Sequence, residues 1–382
     1  MYQPGPREFD RSRPSSIRCG AWLLAALVLL QVAQGCLSKD QRRTEEAAPS
    51  LLGLNLRDVS HDRWETVWGA ASSLHPAWVR LDGQMALDEK GGLDFSFYDR
   101  WVDRFLSSGV AVLGQLGGAR ASCVRRVSAE EIANCPPDPL RGQAYSEYVE
   151  KVIRHFAGRV RYWESWNEPN DDKYWLGGSN PTAYARVLRI QHDAMKRANS
   201  NAKLIFAATS SGAQRWIQGV LAALGGDRPY EAVALHPYRF SGPHDQVPFI
   251  GPDGSQVPLD MKSELRERVA LFRQYDSQHG RPDADPETWL TEYGWGAASP
   301  TRHEIAGGGE LISYDAQARY LRETITLLHD PELGFVNAAF WWSATDLEWP
   351  GDNYGLFKSY GLLRKDLSRK PAADTFAELA AK

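Results

Sequence analysis

Short apolar runs alternate with helical periods from Leu51 to the end of the chain. The apolar runs cover 51–56, 78–81, 111–116, 160–166, 203–208, 232–235, 288–291 and 338–342. Each is short and bounded by polar or turn residues, as a strand covered on both faces would be. Between them the period changes. Tyr145, Tyr148, Val149, Val152 and Phe156 follow the i, i+3, i+4, i+7, i+11 spacing of one helix face. Tyr184, Val187, Leu188 and Met195 share a face, and so do Leu321, Ile325 and Leu328 behind the capping residues Ser313 or Asp315. Further helices are predicted over 60–74, 96–108, 213–224, 261–279 and 371–381. Strict strand–helix alternation implies parallel strands joined by helical crossovers. Eight such units favour a closed α/β (β/α)8 TIM barrel over an open doubly wound sheet. The longest excursions, at 117–140, 239–260, 296–312 and 343–370, follow the third, sixth, seventh and eighth strands. In a barrel they stand at the C-terminal mouth, where active sites form.

The N-terminus reads as an export signal over 1–36. Arg11, Arg13 and Arg18 precede an apolar run at 21–33, and Ala33-Gln34-Gly35 puts small residues at -3 and -1 of a cleavage point. The run is too short to favour a membrane span. Cys36 follows directly, in a segment that resembles a bacterial lipobox, although Ala33 and Gln34 replace its usual Leu and small residue. Two outcomes stay open: a lipid anchor at Cys36 on the inner or outer membrane, or release into the periplasm or medium. Residues 37–50 are polar and form a tether, and 51–382 form one catalytic domain. Cys19 and Cys36 belong to the signal region. Cys123 and Cys135 share one loop, and an oxidising compartment favours a disulfide between them.

Composition narrows the function. The 382 residues are 43% hydrophobic with a formal net charge of -4, so the chain carries no footprint for nucleic acid or an anionic membrane. A monomer is expected. Fourteen Trp residues are many; a Trp at a strand end either packs in the core or lines a sugar cleft. The nine histidines are scattered, and His303-Glu304 lacks the second histidine of a zinc helix, so no metal is expected. Gly307-Gly308-Gly309 lacks the Lys-Ser/Thr of a phosphate loop, and neither a Gly-x-Ser-x-Gly elbow nor a dinucleotide fingerprint occurs. No cofactor is expected either.

Two segments carry the chemistry. Tyr162-Trp163-Glu164-Ser165-Trp166-Asn167-Glu168-Pro169-Asn170 ends the fourth strand, and Thr288-Trp289-Leu290-Thr291-Glu292-Tyr293-Gly294-Trp295 ends the seventh. Each sets a carboxylate among aromatic residues at one barrel mouth. Glycoside hydrolysis uses such a pair. One carboxyl, protonated at rest, gives its proton to the leaving oxygen. The other, ionised, attacks the anomeric carbon, from ~5–5.5 Å away in a retaining enzyme.

Trp166-Asn167-Glu168-Pro169-Asn170 resembles the acid/base motif of clan A glycoside hydrolases, and Thr291-Glu292-Tyr293-Gly294-Trp295 resembles their nucleophile motif. The ensemble is similar to family 39, above all its bacterial exopolysaccharide-associated enzymes, with family 5 as a neighbour. The resemblance runs from about Leu51 to Phe376. It implies a (β/α)8 fold, retention of configuration, Glu168 as acid/base and Glu292 as nucleophile. It also implies that Asn167 bonds the sugar 2-hydroxyl, and that His236 and Tyr238 stand beside the nucleophile. Trp341 or Trp342 would form the floor of the cleaved-sugar subsite, one facing inward by strand parity.

Arg80, at the end of the second strand, needs a partner inside a barrel; it either orients Glu292 or pairs with Glu164. Trp295 either extends the cleft or packs in the core. Asp346, Glu348, Trp349 and Asp352 either contact sugars or form a solvated acidic loop. The expected activity is retaining, endo-acting hydrolysis of an extracellular or cell-envelope polysaccharide. Its rivals are a non-catalytic carbohydrate-binding scaffold for polysaccharide assembly, and a transglycosylase using the same residues.

Overall fold

The computed structural model describes residues 51–382, apart from 57–58, 82–92, 129–130, 211, 240–242, 245–246, 251–255, 299–310 and 348–356. The export signal, Cys36, the tether over 37–50, His303, Glu304, the glycines at 307–309, Glu348, Trp349 and Asp352 therefore lie outside the described residues.

Strands and helices follow one another as β1 Leu52–Asn55, α1 Trp64–Ala71, β2 Trp78–Arg80, α2 Ser96–Ser107, β3 Ala111–Gln115 and α3 Gly142–His155. Then come β4 Tyr162–Glu164, α4 Pro181–Ala198, β5 Lys203–Phe206, α5 Gln214–Leu224, β6 Ala232–Leu235 and α6 Met261–Gln278. The series ends with β7 Thr288–Tyr293, α7 Tyr314–Leu328, β8 Val336–Trp341 and α8 Pro371–Ala380. The eight strands are parallel and close on themselves in sequence order, β8 pairing with β1. This is the (β/α)8 barrel that the alternation predicts. Side-chain caps fix several helix starts. Asn180 accepts from the Ala183 N–H with Pro181 opening α4, and Asp260 accepts from Ser263 at α6. Of the two candidates before α7, Ser313 is the cap and Asp315 lies in the first turn.

Some boundaries differ from the sequence reading. β4 has only three residues, because the chain turns out of the ladder after Glu164 and touches it again at the Asn167–Ala208 bridge. The 239–260 excursion holds an antiparallel hairpin of Val247–Ile250 and Gln256–Leu259, with Pro248 opposite Pro258. Prolines give no ladder N–H, so the pattern there does not read as strand. The 296–312 excursion begins and ends in a short parallel pairing of Ala297–Ala298 with Ile312–Ser313. After β3, a disulfide joins Cys123 to Cys135. The adjacent Asn134 carbonyl accepts from the Leu176 N–H, tying this loop to the one after β4.

Strand parity sorts the core. Inward faces carry Trp78, Leu113, Tyr162, Ile205, Ala232, Ala234, Trp289, Ala338 and Phe340 in one apolar layer. Three alanines leave room for the aromatic rings, with Trp78 and Tyr162 at 5.0 and 4.6 Å from Trp289 between centroids. Gly53 is required there, since a Cβ would lie 2.5 Å from the Phe340 ring. Outward faces, such as Val79, Trp163, Leu290 and Ala339, meet the helices in a second, larger core.

Candidate active site

Two residues beyond the aromatic layer, the same inward faces turn polar. Arg80 follows Trp78, Gln115 follows Leu113, Glu164 follows Tyr162, Thr291 follows Trp289 and Asn55 follows Gly53, and all five polar residues are buried. Such a layer persists only if its groups satisfy one another. Glu164 accepts from Arg80 Nε (2.8 Å), Gln115 Nε2 (3.1 Å), the Ala208 N–H (3.2 Å) and the Thr291 hydroxyl (2.9 Å). Both its oxygens are engaged, so it holds the layer together. Arg80 makes both contacts that the sequence left open. Beyond Glu164 it donates from Nη1 to Glu292 Oε1 at 2.6 Å and from Nη2 to Asn167 Oδ1 at 3.0 Å.

The loop after β4 presents Glu168. The Ser165 hydroxyl donates to Gln191 Oε1, and the Trp166 indole N–H donates to the Tyr174 carbonyl at 2.7 Å. Glu168 itself has φ 40°, in the left-handed region. For a residue with a Cβ this conformation costs on the order of 1–3 kcal/mol, and it persists where the surroundings over-determine it. β7 presents Glu292. Gly294, just beyond, has φ 156°, and a Cβ there would lie 2.8 Å from the Trp342 carbonyl. Only glycine lets β7 and the end of β8 approach so closely.

The two carboxylates converge on one imidazole. His236 Nδ1 lies 2.9 Å from Glu168 Oε1 and 3.7 Å from Glu292 Oε2. These two oxygens are separated by no more than those distances laid end to end. That bound admits the ~5–5.5 Å separation of a retaining pair. His236 Nε2 meets the Thr291 hydroxyl at 3.0 Å. Tyr238 donates its hydroxyl to Glu292 Oε2 at 2.8 Å. Burial, then the charge of Glu292, pushes the Tyr238 phenol well above its usual range, so it stays a donor. The surroundings of the carboxylates differ. Glu292 has the Arg80 cation and a phenol, whereas Glu168 has the imidazole.

Strand parity separates the tryptophans. Ala338 and Phe340 point into the barrel, so Ala339 and Trp341 point out. Trp341 is fully buried, donates to the Tyr360 carbonyl at 2.9 Å and packs on Tyr293 and Trp295. Trp342 turns the other way, toward Tyr238, with ring centroids 6.3 Å apart. Of the alternatives the sequence left open, Trp341 and Trp295 both take the core position. Trp295 packs 5.5 Å from Tyr320 of α7, and its carbonyl accepts from Gln317 at 2.7 Å. Asp346 is no solvated acid; it pairs with the buried Lys370 at 2.7 Å and accepts from the Gly361 N–H. Thr291, Gln115 and Asn55 were not singled out in the sequence. Their signal was a polar residue two positions after an inward residue near a strand end. Among the described residues no cluster of His, Cys, Asp and Glu is arranged to hold a metal ion.

No protein-family model matches this chain, and no curated protein matches it. Solved structures do. A glucosidase from Croceicoccus marinus superposes with a TM-score of 0.59 at 16% identity, over 87% of this chain and 66% of that one. This chain thus spans just under two thirds of the glucosidase's length. Xylanase 10B from Thermotoga maritima gives 0.55 at 17% identity, over 87% and 95%. A GH5_18 protein from Streptomyces cattleya, solved with Manb1-4GlcNAc, gives 0.56 at 18% identity, over 87% and 80%. At these identities the likeness is one of fold: this chain is built on the same (β/α)8 barrel as those glycoside hydrolases.

Proposed function

We propose that this protein is a retaining glycoside hydrolase, with Glu168 as acid/base and Glu292 as nucleophile. The observation that carries the reading is the approach of both carboxylates to His236 Nδ1, at 2.9 and 3.7 Å, in unlike surroundings. Arg80 and Tyr238 complement a negative Glu292 and aim it at an anomeric carbon. Glu168 gives a proton to the leaving oxygen, then takes one from the water that releases the sugar. Asn167 has its carbonyl oxygen held by Arg80, while its buried Nδ2 has no partner among the described residues. A sugar 2-hydroxyl would satisfy that donor, and the bond strengthens as the oxocarbenium-like state forms. Trp342, packed beside Tyr238 and Tyr360, is the tryptophan we assign to the floor of the same sugar's subsite.

We propose further that it is close to family 39, which its two motifs resemble, and that it acts as an endo-acting monomer on a polysaccharide outside the cytoplasm. It is either anchored through Cys36 or released. The test is a reducing-end assay of the mature chain, from about Ser38, on β-glucans, xylans, mannans and bacterial exopolysaccharides, with Glu292→Gln as control. Release that is lost in the variant supports the reading and names the substrate class. Binding to one of these glycans without release in the wild type favours the scaffold reading. Elongated products with an added acceptor favour transglycosylation.

A further inference from the structure

We propose that Arg239, Glu264 and Arg268 form a buried positioning triad that braces both carboxylates from behind, an inference that rests on the glycosidase reading. Glu264 and Arg268 lie one turn apart on α6, and Arg239 follows the loop that carries His236 and Tyr238. All three side chains are sealed from solvent. Arg239 Nη2 pairs with Glu264 Oε2, and Arg268 Nη1 pairs with Glu264 Oε1 at 3.1 Å. Each arginine then reaches a different branch of the site.

Arg268 Nη2 donates to the Thr209 carbonyl at 2.6 Å and to the Thr209 hydroxyl. The same carbonyl accepts the His236 backbone N–H at 3.3 Å, and His236 Nδ1 touches Glu168. Arg239 Nη1 donates to the Tyr238 carbonyl at 3.2 Å, and the Tyr238 hydroxyl holds Glu292. One branch therefore ends at the acid/base and the other at the nucleophile. Among the described residues no hydrogen bond or ion pair joins the three to either carboxylate, and Arg268 meets the charge of Glu168 only through space. They act through Thr209, His236 and Tyr238.

Buried ion triads are a poor source of stability, because removing three charges from water costs about what their attraction returns. Precise placement is a better account of this one. Loops are less well held than strands, and a misplacement of ~1 Å at a reacting group costs on the order of 100-fold in rate. Two cations and one anion also leave a net positive charge. Removal of Arg268 alone leaves the balanced Arg239–Glu264 pair, so Arg268→Met strands no buried charge.

The experiment uses the full mature chain and the glycan from which the wild type releases reducing ends. In Arg268→Met, kcat falls roughly 10- to 100-fold with KM little changed. Arg268→Lys, which still offers a donor to Thr209, recovers part of the loss. Should Arg268→Met fail to fold, the apolar triple variant R239M/E264L/R268M replaces it; it folds as well as the wild type but is slow. A second readout is the ¹⁵N spectrum of the His236 ring, assigned with His236→Gln. Its signals move in Arg268→Met and return towards the wild type in Arg268→Lys. A folded variant with unchanged kcat and an unmoved His236 spectrum overturns the triad's role. A wild type that cleaves no glycan defeats the glycosidase reading instead, and the His236 spectrum then decides the triad by itself.

Discussion

His236 Nδ1 lies 2.9 Å from Glu168 Oε1, and the far side of the ring sets which nitrogen of a neutral imidazole faces that contact without a hydrogen. The Thr291 hydroxyl donates to Glu164, so toward His236 Nε2 it acts as acceptor and Nε2 carries a hydrogen. A neutral ring then presents a bare Nδ1, an acceptor for a protonated Glu168. A cationic ring presents N–H to an ionised Glu168. Either form pairs one donor with one acceptor across that contact.

Glu168→Ala is expected to slow cleavage of an unactivated glycoside severely while sparing the first step on an aryl glycoside with a good leaving group. Added azide restores turnover and yields a glycosyl azide of retained configuration. Glu292→Ala loses both substrates. Equal losses in the two variants, with no rescue, would falsify the assignment of roles.

Tyr238→Phe removes the phenol that Glu292 accepts and leaves the ring beside Trp342. A hydrogen bond to a charged group is worth about 1.5–3 kcal/mol, so kcat/KM should drop by roughly 10- to 100-fold. Because burial and the charge of Glu292 both disfavour its phenolate, Tyr238 should not ionise through the ordinary tyrosine range. Comparing ultraviolet titrations of the wild type and the variant checks this: the difference spectrum should show no phenolate step while the protein stays folded.

Arg80→Met should destabilise the barrel. It strips the cation from two carboxylates, Glu164 and Glu292, that stay buried. Breaking a buried pair from one side costs about 3–5 kcal/mol. Adding Glu164→Gln should return part of that stability without returning activity. Urea denaturation of the single and double variants reads both effects, and equal stability in all three proteins would count against it.

Glu231 predicts an acid dependence far from the site. Burial raises its carboxyl, but hydrogen bonds from His192, Lys196 and the Leu204 N–H outweigh that and hold it at about 2 against an ordinary 4.5. A folded-state pKa below the unfolded one gives stability that is complete above about 4.5 and is lost as pH falls toward 2. The loss loosens the join between α4 and the starts of β5 and β6. In Glu231→Gln, denaturation midpoints should fall less steeply over that window than in the wild type.

The sequence by itself determined the alternation of eight strands and eight helices, and with it the barrel. Those signals are local: a period of two or 3.6, a cap at Ser313, an apolar run of strand length. It also marked Glu168 and Glu292, because a carboxylate among aromatic residues at a strand end departs from any core pattern. It did not choose between Trp341 and Trp342. A period of two names alternate faces but not which one points inward, until Phe340 is seen packed on Trp289 inside the barrel. Nor could it join Arg80 to Glu164, Asn167 and Glu292 at once, or Arg268 to Thr209. Those contacts bridge positions far apart in the chain, and their partners are fixed by closure of the sheet and the seating of α6, which only the tertiary structure decides.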